Sequence, residues 1–468
     1  MKACFSDLGL DPVTGWTLLM RTDRLSTRCR WIFLPPSRAG VLALMGLLTV
    51  IGQVAADDSF EREPINYLTA KPRDRVAQLQ GRIDASGSPL KFDSRQGYLR
   101  SVLEQLQIPI SSQMLVFSKT SFQQKLISPK TPRAIFFSDD VYVGYVDEGE
   151  MLEVSAIDPQ MGAVFYTLSQ AKATRPQFVR RTHECLQCHS SSLTESVPGQ
   201  LARSVYPDAE GFPILSHGTF AIDHGSPLRQ RWGGWYVTGF AGDQAHMGNR
   251  CATAETDPDR FATAGDLADL KGHFDASRYP TGHSDLVALM VLEHQGKMHN
   301  LITRANYEAR LAQRDEDIIS RMLERPANYE SESTASRLKS AAEPLVRYML
   351  FCGEAPLAAP VRGTSEFASD FVRSGPRDRQ GRSLRDLDLS RRMFKYPCSY
   401  LVYSEAFAAL PQPMLTRVYR RLWEVLSSQD QSQDFAHLTA ADRRAILEIL
   451  LETKQGLPDY WKSSQSRK

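Results

Sequence analysis

Val141-Tyr142-Val143-Gly144-Tyr145-Val146, Leu152-Glu153-Val154-Ser155-Ala156-Ile157 and Ala163-Val164-Phe165-Tyr166-Thr167-Leu168 follow one another between positions 141 and 168 and decide the fold. Each run is short, rich in β-branched and aromatic residues, and bounded by turn formers: Asp139-Asp140, Glu148-Gly149, and Asp158-Pro159 with Gly162. The spacing predicts neighbouring antiparallel strands. Met114-Leu115-Val116-Phe117 and Ala134-Ile135-Phe136-Phe137 extend the pattern upstream, and 234–238 adds a strand downstream. Outside this window the period turns helical. Apolar residues recur at helical spacing over 98–106, 286–314, 315–323, 344–352, 393–409, 414–426 and 440–454, whereas 325–340 and 353–385 read as low-order. The expectation is an α+β protein: a small antiparallel β-rich region and a loop-rich region, followed by a mostly helical C-terminal region.

The chain has 468 residues, 42% hydrophobic and 24% charged, which suits a globular protein with a sizeable core. Lys and Arg number 56 against 54 for Asp and Glu, so no large positive field favours nucleic acid. The balance is uneven only at the start. Residues 1–56 carry Lys2, Arg21, Arg24, Arg28, Arg30 and Arg38 against Asp7, Asp11 and Asp23. The uncharged run Ala39-Gly40-Val41-Leu42-Ala43-Leu44-Met45-Gly46-Leu47-Leu48-Thr49-Val50-Ile51 follows, then Val54-Ala55-Ala56. Basic residues, a short apolar run and small residues before a cut read as a secretory signal ending at Ala56, with Met20 an alternative start. The expected compartment is the periplasm. Membrane association is expected only if this leader stays uncleaved. Regions then follow as 57–112 (helical), 113–252 (β-rich and loop-rich), 253–352 (helical), 353–385 (linker) and 386–468 (helical).

Chemistry concentrates in Arg181-Thr182-His183-Glu184-Cys185-Leu186-Gln187-Cys188-His189. Two thiols three residues apart and an adjacent imidazole form C-x-x-C-H, the attachment motif of a c-type haem. On one helical turn both thiols reach the vinyl groups along one porphyrin edge, and the imidazole then lies beneath the iron. A thioredoxin-like pair would want a βαβ context, and a zinc site would want a second close-set ligand pair; neither pattern is present in the sequence. Of the remaining mature cysteines, Cys251, Cys352 and Cys398 allow at most one disulfide, with no basis for choosing a pair.

The 181–189 segment resembles the haem-binding stretch of c-type cytochromes. With Gly233-Gly234-Trp235-Tyr236-Val237-Thr238-Gly239 and Phe394-Lys395-Tyr396-Pro397, the wider chain is similar to large bacterial proteins that contain a cytochrome c domain. The resemblance implies one covalent haem c, with Cys185 and Cys188 as thioether sites and His189 as the proximal iron ligand. It implies no particular reaction. The motif lies far behind the presumed mature start and after a β-rich region, so the standard small all-α cytochrome c fold is not expected.

The sixth iron ligand separates a carrier from a catalyst: Met sulfur suits electron transfer, and an open position admits a small ligand. Met247, in the Gly-bounded Ala245-His246-Met247-Gly248-Asn249, is the leading candidate, against a plain packing role. His246 and His217 follow as ligands or acid–base groups. Met290, His294 and Met298 share one helical face and read as core before they read as a pocket or copper site. The expected function is one-electron transfer with a redox partner protein. The alternatives are a haem enzyme with an open distal site and a haem-based sensor or assembly module.

Overall fold

Alternation along the 141–168 runs becomes a meander. In the computed structural model, which describes residues 59–326 and 329–462, seven strands form one antiparallel sheet. They are β1 (Met114–Val116), β2 (Arg133–Phe137), β3 (Val141–Tyr145), β4 (Met151–Asp158), β5 (Gly162–Ser169), β6 (Phe178–Arg181) and, added beside β1 at the far edge, the strand Trp235–Tyr236. The β4–β5 hairpin is the longest pairing, from Met151 opposite Ser169 to Asp158 opposite Gly162. Its turn is set by Asp158, whose Oδ1 accepts from the amides of Gln160 (2.8 Å) and Met161 (3.0 Å). Gly162 has φ +72° and abuts the Thr303 side chain, so both backbone and packing require glycine there.

A period of two sends alternate residues to opposite faces. Ala134, Val143, Tyr145, Val154, Ala156, Val164, Tyr166 and Leu168 are all buried. The Tyr166 hydroxyl donates to Oδ2 of Asp74 at 2.5 Å, and Asp74 caps α1 (Arg75–Ser86), whose Val76, Leu79 and Ile83 are buried. After α2 (Leu99–Gln105) the sheet begins, and the short α3 (His183–His189) hangs directly from β6.

The C-terminal half is built around α4 (Leu286–Met322), a 37-residue helix buried along most of its first 27 positions. Asp285 caps it, Oδ1 accepting from the amides of Val287 and Ala288. Packed against it are α5 (Glu332–Met349), α6 (Phe367–Arg373) and α7 (Gln412–Leu426), and α8 (Ala440–Thr453) packs on α7. The architecture is α+β with a helical C-terminal region. No described helix is long and apolar enough to cross a membrane. The signal at 1–56 and its alternative start at Met20 lie outside the described residues.

Three expectations are revised. Most of 325–340 is not low-order: α5 begins at Glu332, capped by Ser331, and runs through Pro344, because its apolar face packs on α4. The expected 353–385 linker is part of the body, since Arg362–Gly363 pairs with Gly239–Phe240 and Phe367 and Phe371 of α6 are buried. The described residues accordingly fall in one compact unit rather than in successive domains. The expected helix over 393–409 is broken. Pro397 interrupts it, and the Ser399 and Ser404 hydroxyls cap short turns at Tyr400–Tyr403 and Glu405–Ala408.

Candidate functional site

The sheet face opposite α1 is the floor of a cavity of about 780 Å³. Register aligns the floor in rows. One runs Arg181, Phe165, Ser155, Tyr142; the next runs Thr167, Glu153, Gly144, Ile135; the last is Arg133, Val116, Trp235. Every one of these residues lines the cavity. On the side formed by α4, Glu293, Gly296, Lys297 and Asn300 line it at helical spacings of three and four. Gly144 carries no side chain, and the Arg133 guanidinium lies over it to pair with Glu153 at 2.5 Å.

Helix α3 presents its chemistry to this cavity. Cys185, Cys188 and His189 stand at i, i+3 and i+4, hence on one helical face, and all three line the cavity, while Leu186 is buried in the core. Cys188 is exposed and Cys185 half-buried, and burial pushes the Cys185 thiol up to about 11. The three residues singled out in sequence for covalent haem therefore converge on one wall.

His189 is oriented with care. Its Nδ1 lies 2.9 Å from the carbonyl oxygen of Gly199, which can only accept, so Nδ1 carries the hydrogen and Nε2 keeps its lone pair. The Phe165 ring sits 4.8 Å away, centre to centre, and limits rotation of the imidazole. Burial pushes the His189 pKa down and keeps the ring neutral, the state that binds a metal. The 199–200 segment is itself tied down: Gln200 N donates to Asn300 Oδ1 (2.8 Å), Asn300 Nδ2 donates to Gln200 O (2.8 Å), and Gln200 Nε2 donates to Ser155 Oγ (2.7 Å). Thus α4 holds the segment that holds the imidazole.

Met247 is elsewhere. It is 1% exposed in a satellite cluster with Tyr206, Ala252 and Phe261, its sulfur 3.5 Å from Ser204 Oγ, and it does not line the cavity. The Gly-bounded loop that suggested close approach to a ring instead packs against the protein, with Gly248 beside His246 and Val237. His246 is buried, its Nδ1 accepting from Gly248 N, and His217 is paired through Nε2 with the Thr253 carbonyl. Met290, His294 and Met298 are buried in the core and also lie off the cavity. Cys251, Cys352 and Cys398 are free thiols.

The cavity lining holds no methionine and no histidine besides His189. Several of its other donors are committed. Lys297 pairs with Glu195, Lys119 Nζ donates to the Ile127 carbonyl, and Tyr166 Oη donates to Asp74.

Sequence reading missed the polar wall: Arg133, Glu153, Gln200, Glu293 and Asn300. A signal existed for three of them. Arg133 and Glu153 are charges at inward strand positions, and Glu293 follows the apolar Met290-Val291-Leu292. No known protein family, curated protein or solved structure matches this chain.

Proposed function

We propose that this is an exported protein carrying one covalent haem c in the 780 Å³ cavity, held by thioether bonds at Cys185 and Cys188 and ligated by His189. The carrying observation is the convergence of that motif, with a free imidazole Nε2, on a cavity within the roughly 300–1,000 Å³ range of ligand pockets. The residues fit the group: two cavity-facing thiols on one helical face, a neutral imidazole with its outer nitrogen fixed, and aromatic and aliphatic floor residues. When bound, such a haem would be held by Cys185, Cys188 and His189 and would supply a redox-active iron able to take a small ligand or pass an electron.

The cavity lining favours an open position. A carrier of single electrons wants a Met or a second His, and the lining brings neither. The reading is therefore a haem protein that binds a small exogenous ligand, as an enzyme or a sensor, rather than a carrier ligated by Met247. The Gly199 carbonyl, accepting from Nδ1, makes His189 a more basic ligand. The Arg133–Glu153 pair sets a balanced charge beside it.

The test is the visible spectrum of the oxidised, periplasmically matured protein with and without azide. High-spin features that shift on azide addition are expected. A far-red Met–iron charge-transfer band, unchanged by azide, overturns the reading.

A further inference from the structure

Four carboxylates line the cavity, and three are engaged near solvent: Glu153 with Arg133, Glu184 with Arg181 at 3.8 Å, and Asp223 with the Gly225 amide at 2.7 Å. The fourth, Glu293, is 2% exposed. It leaves α4 one turn before Lys297 and is fixed from the 231–232 segment, its Oε1 accepting from Trp232 Nε1 at 2.5 Å and its Oε2 from Arg231 Nη1 at 3.0 Å. Two donors from outside the lining fix the carboxyl of this cavity-lining residue, and each oxygen keeps a lone pair free. Fixed, buried and cavity-lining, it is placed for proton exchange with whatever enters.

We propose that Glu293 is the acid–base group of this cavity and that the ligand is a small weak acid HX, the class to which hydrogen peroxide and hydrogen cyanide belong. The proposal rests on the open-iron reading above. As HX binds, the H–X electron pair stays on X, which becomes the bound anion, and the proton passes to the Glu293 carboxylate; release reverses both movements. No outside oxidant or reductant is needed for this step.

The electrostatic surroundings agree. Burial pushes Glu293 up to about 7 against the pull of Arg231 and the Trp232 hydrogen bond, with Asp223 pushing the same way as burial. The other groups packed nearby carry no charge near neutral pH: burial holds His294 down to about 3, lowers His224 well below its ordinary value, and raises the Tyr348 phenol. Glu354, itself pushed up to about 7 by burial, shares the field of Arg231. Lys297 pairs with Glu195, which also binds Arg304. Arg231, paired with Glu293 itself at 3.0 Å, is the cation that faces the carboxyl.

The experiment follows cyanide association with the oxidised, haem-loaded protein from about pH 5.5 to about pH 8.5, beside carbon monoxide association with the reduced protein. Carbon monoxide has no proton to give. In the wild type the cyanide rate should rise about tenfold or more across that range, with a midpoint about 7, because the ionised fraction of the carboxyl grows by at least that factor. Glu293→Gln should flatten the profile and leave carbon monoxide rates within about twofold, since only proton transfer is lost. Trp232→Phe keeps the carboxyl but removes a bond to its charged form, so the midpoint should move upward; this variant decides the matter if Glu293→Gln does not fold. An unchanged cyanide profile in both variants, or equal losses for cyanide and carbon monoxide, overturns the proposal alone. A wild type that binds neither ligand overturns the open-iron reading and this proposal with it.

Discussion

The helix His183–His189 and the loop around Met247 promise the same thing in sequence, an iron ligand, and the fold treats them in opposite ways. On the helix, the spacing of Cys185, Cys188 and His189 forces a shared face, and that face meets a cavity floored by a sheet. In the loop, Met247 is a single soft side chain with nothing to direct it, and it fills a gap among Tyr206, Ala252 and Phe261. A pattern of spacing carries its own geometry. A lone residue type does not, and packing decides where it goes.

The sharpest way to break this contrast is to remove each side. Cys185→Ala/Cys188→Ala should abolish covalent haem completely, read as loss of the haem-stained band on a denaturing gel. Met247→Ala should leave the stain and the visible spectrum intact, yet lower unfolding stability by about 2–5 kcal/mol, the usual cost of truncating a buried methionine. A Met247→Ala protein of unchanged stability and altered spectrum would reverse the assignment.

A middle-sized effect concerns pH. His224 and His294 touch through their Nδ1 atoms at 2.8 Å, and burial depresses both. For such groups the unfolded chain binds protons that the folded chain refuses, so stability is complete above about 6.5 and declines as pH falls toward 3. Glu293 and Glu354 act in the other direction: raised in the fold, they contribute stability below their unfolded values that is lost as pH rises through about 7. Thermal unfolding of the haem-loaded protein should therefore show its highest midpoint between the carboxyls' unfolded value, about 4.5, and the imidazoles' unfolded value, about 6.5. A midpoint still rising from pH 7 to 8 contradicts the assignment.

The smallest effect tests the cavity floor. Arg133 and Glu153 both influence the electrostatics at His189. Arg133→Leu removes a positive charge and should lower the haem reduction potential by some tens of millivolts, while Glu153→Gln should raise it by a similar amount. Identical potentials in both variants would mean that the haem sits away from this floor.

Much of this was legible in sequence, and the reasons differ by element. The strands between 114 and 168 announced themselves because β-branched alternation and turn residues agree. The meeting of Cys185, Cys188 and His189 on one wall was legible because five adjacent residues contain their spacing. Helix α1, Arg75–Ser86, lies inside the 57–112 stretch expected to be helical, but its polar composition hid its bounds, with only Val76, Leu79 and Ile83 buried. The 353–385 segment looked like a linker because Gly, Pro and Ser dominate, yet backbone amides of Thr364 and Ser365 bond to Asp285 at 2.8 Å, a partner some 80 positions away. The same distance in sequence hid the Gln200–Asn300 clamp and the Arg231–Glu293 pair, since neither partner marks the other locally.

The central claim is that one haem c sits on His189 with its other face open, and carbon monoxide titration of the dithionite-reduced, periplasmically matured protein tests it most directly. The account predicts one carbon monoxide bound per covalent haem iron, with a shifted Soret band, in the wild type and equally in Met247→Ala. A wild-type spectrum that stays six-coordinate and unmoved at saturating carbon monoxide, becoming responsive only in Met247→Ala, would contradict it.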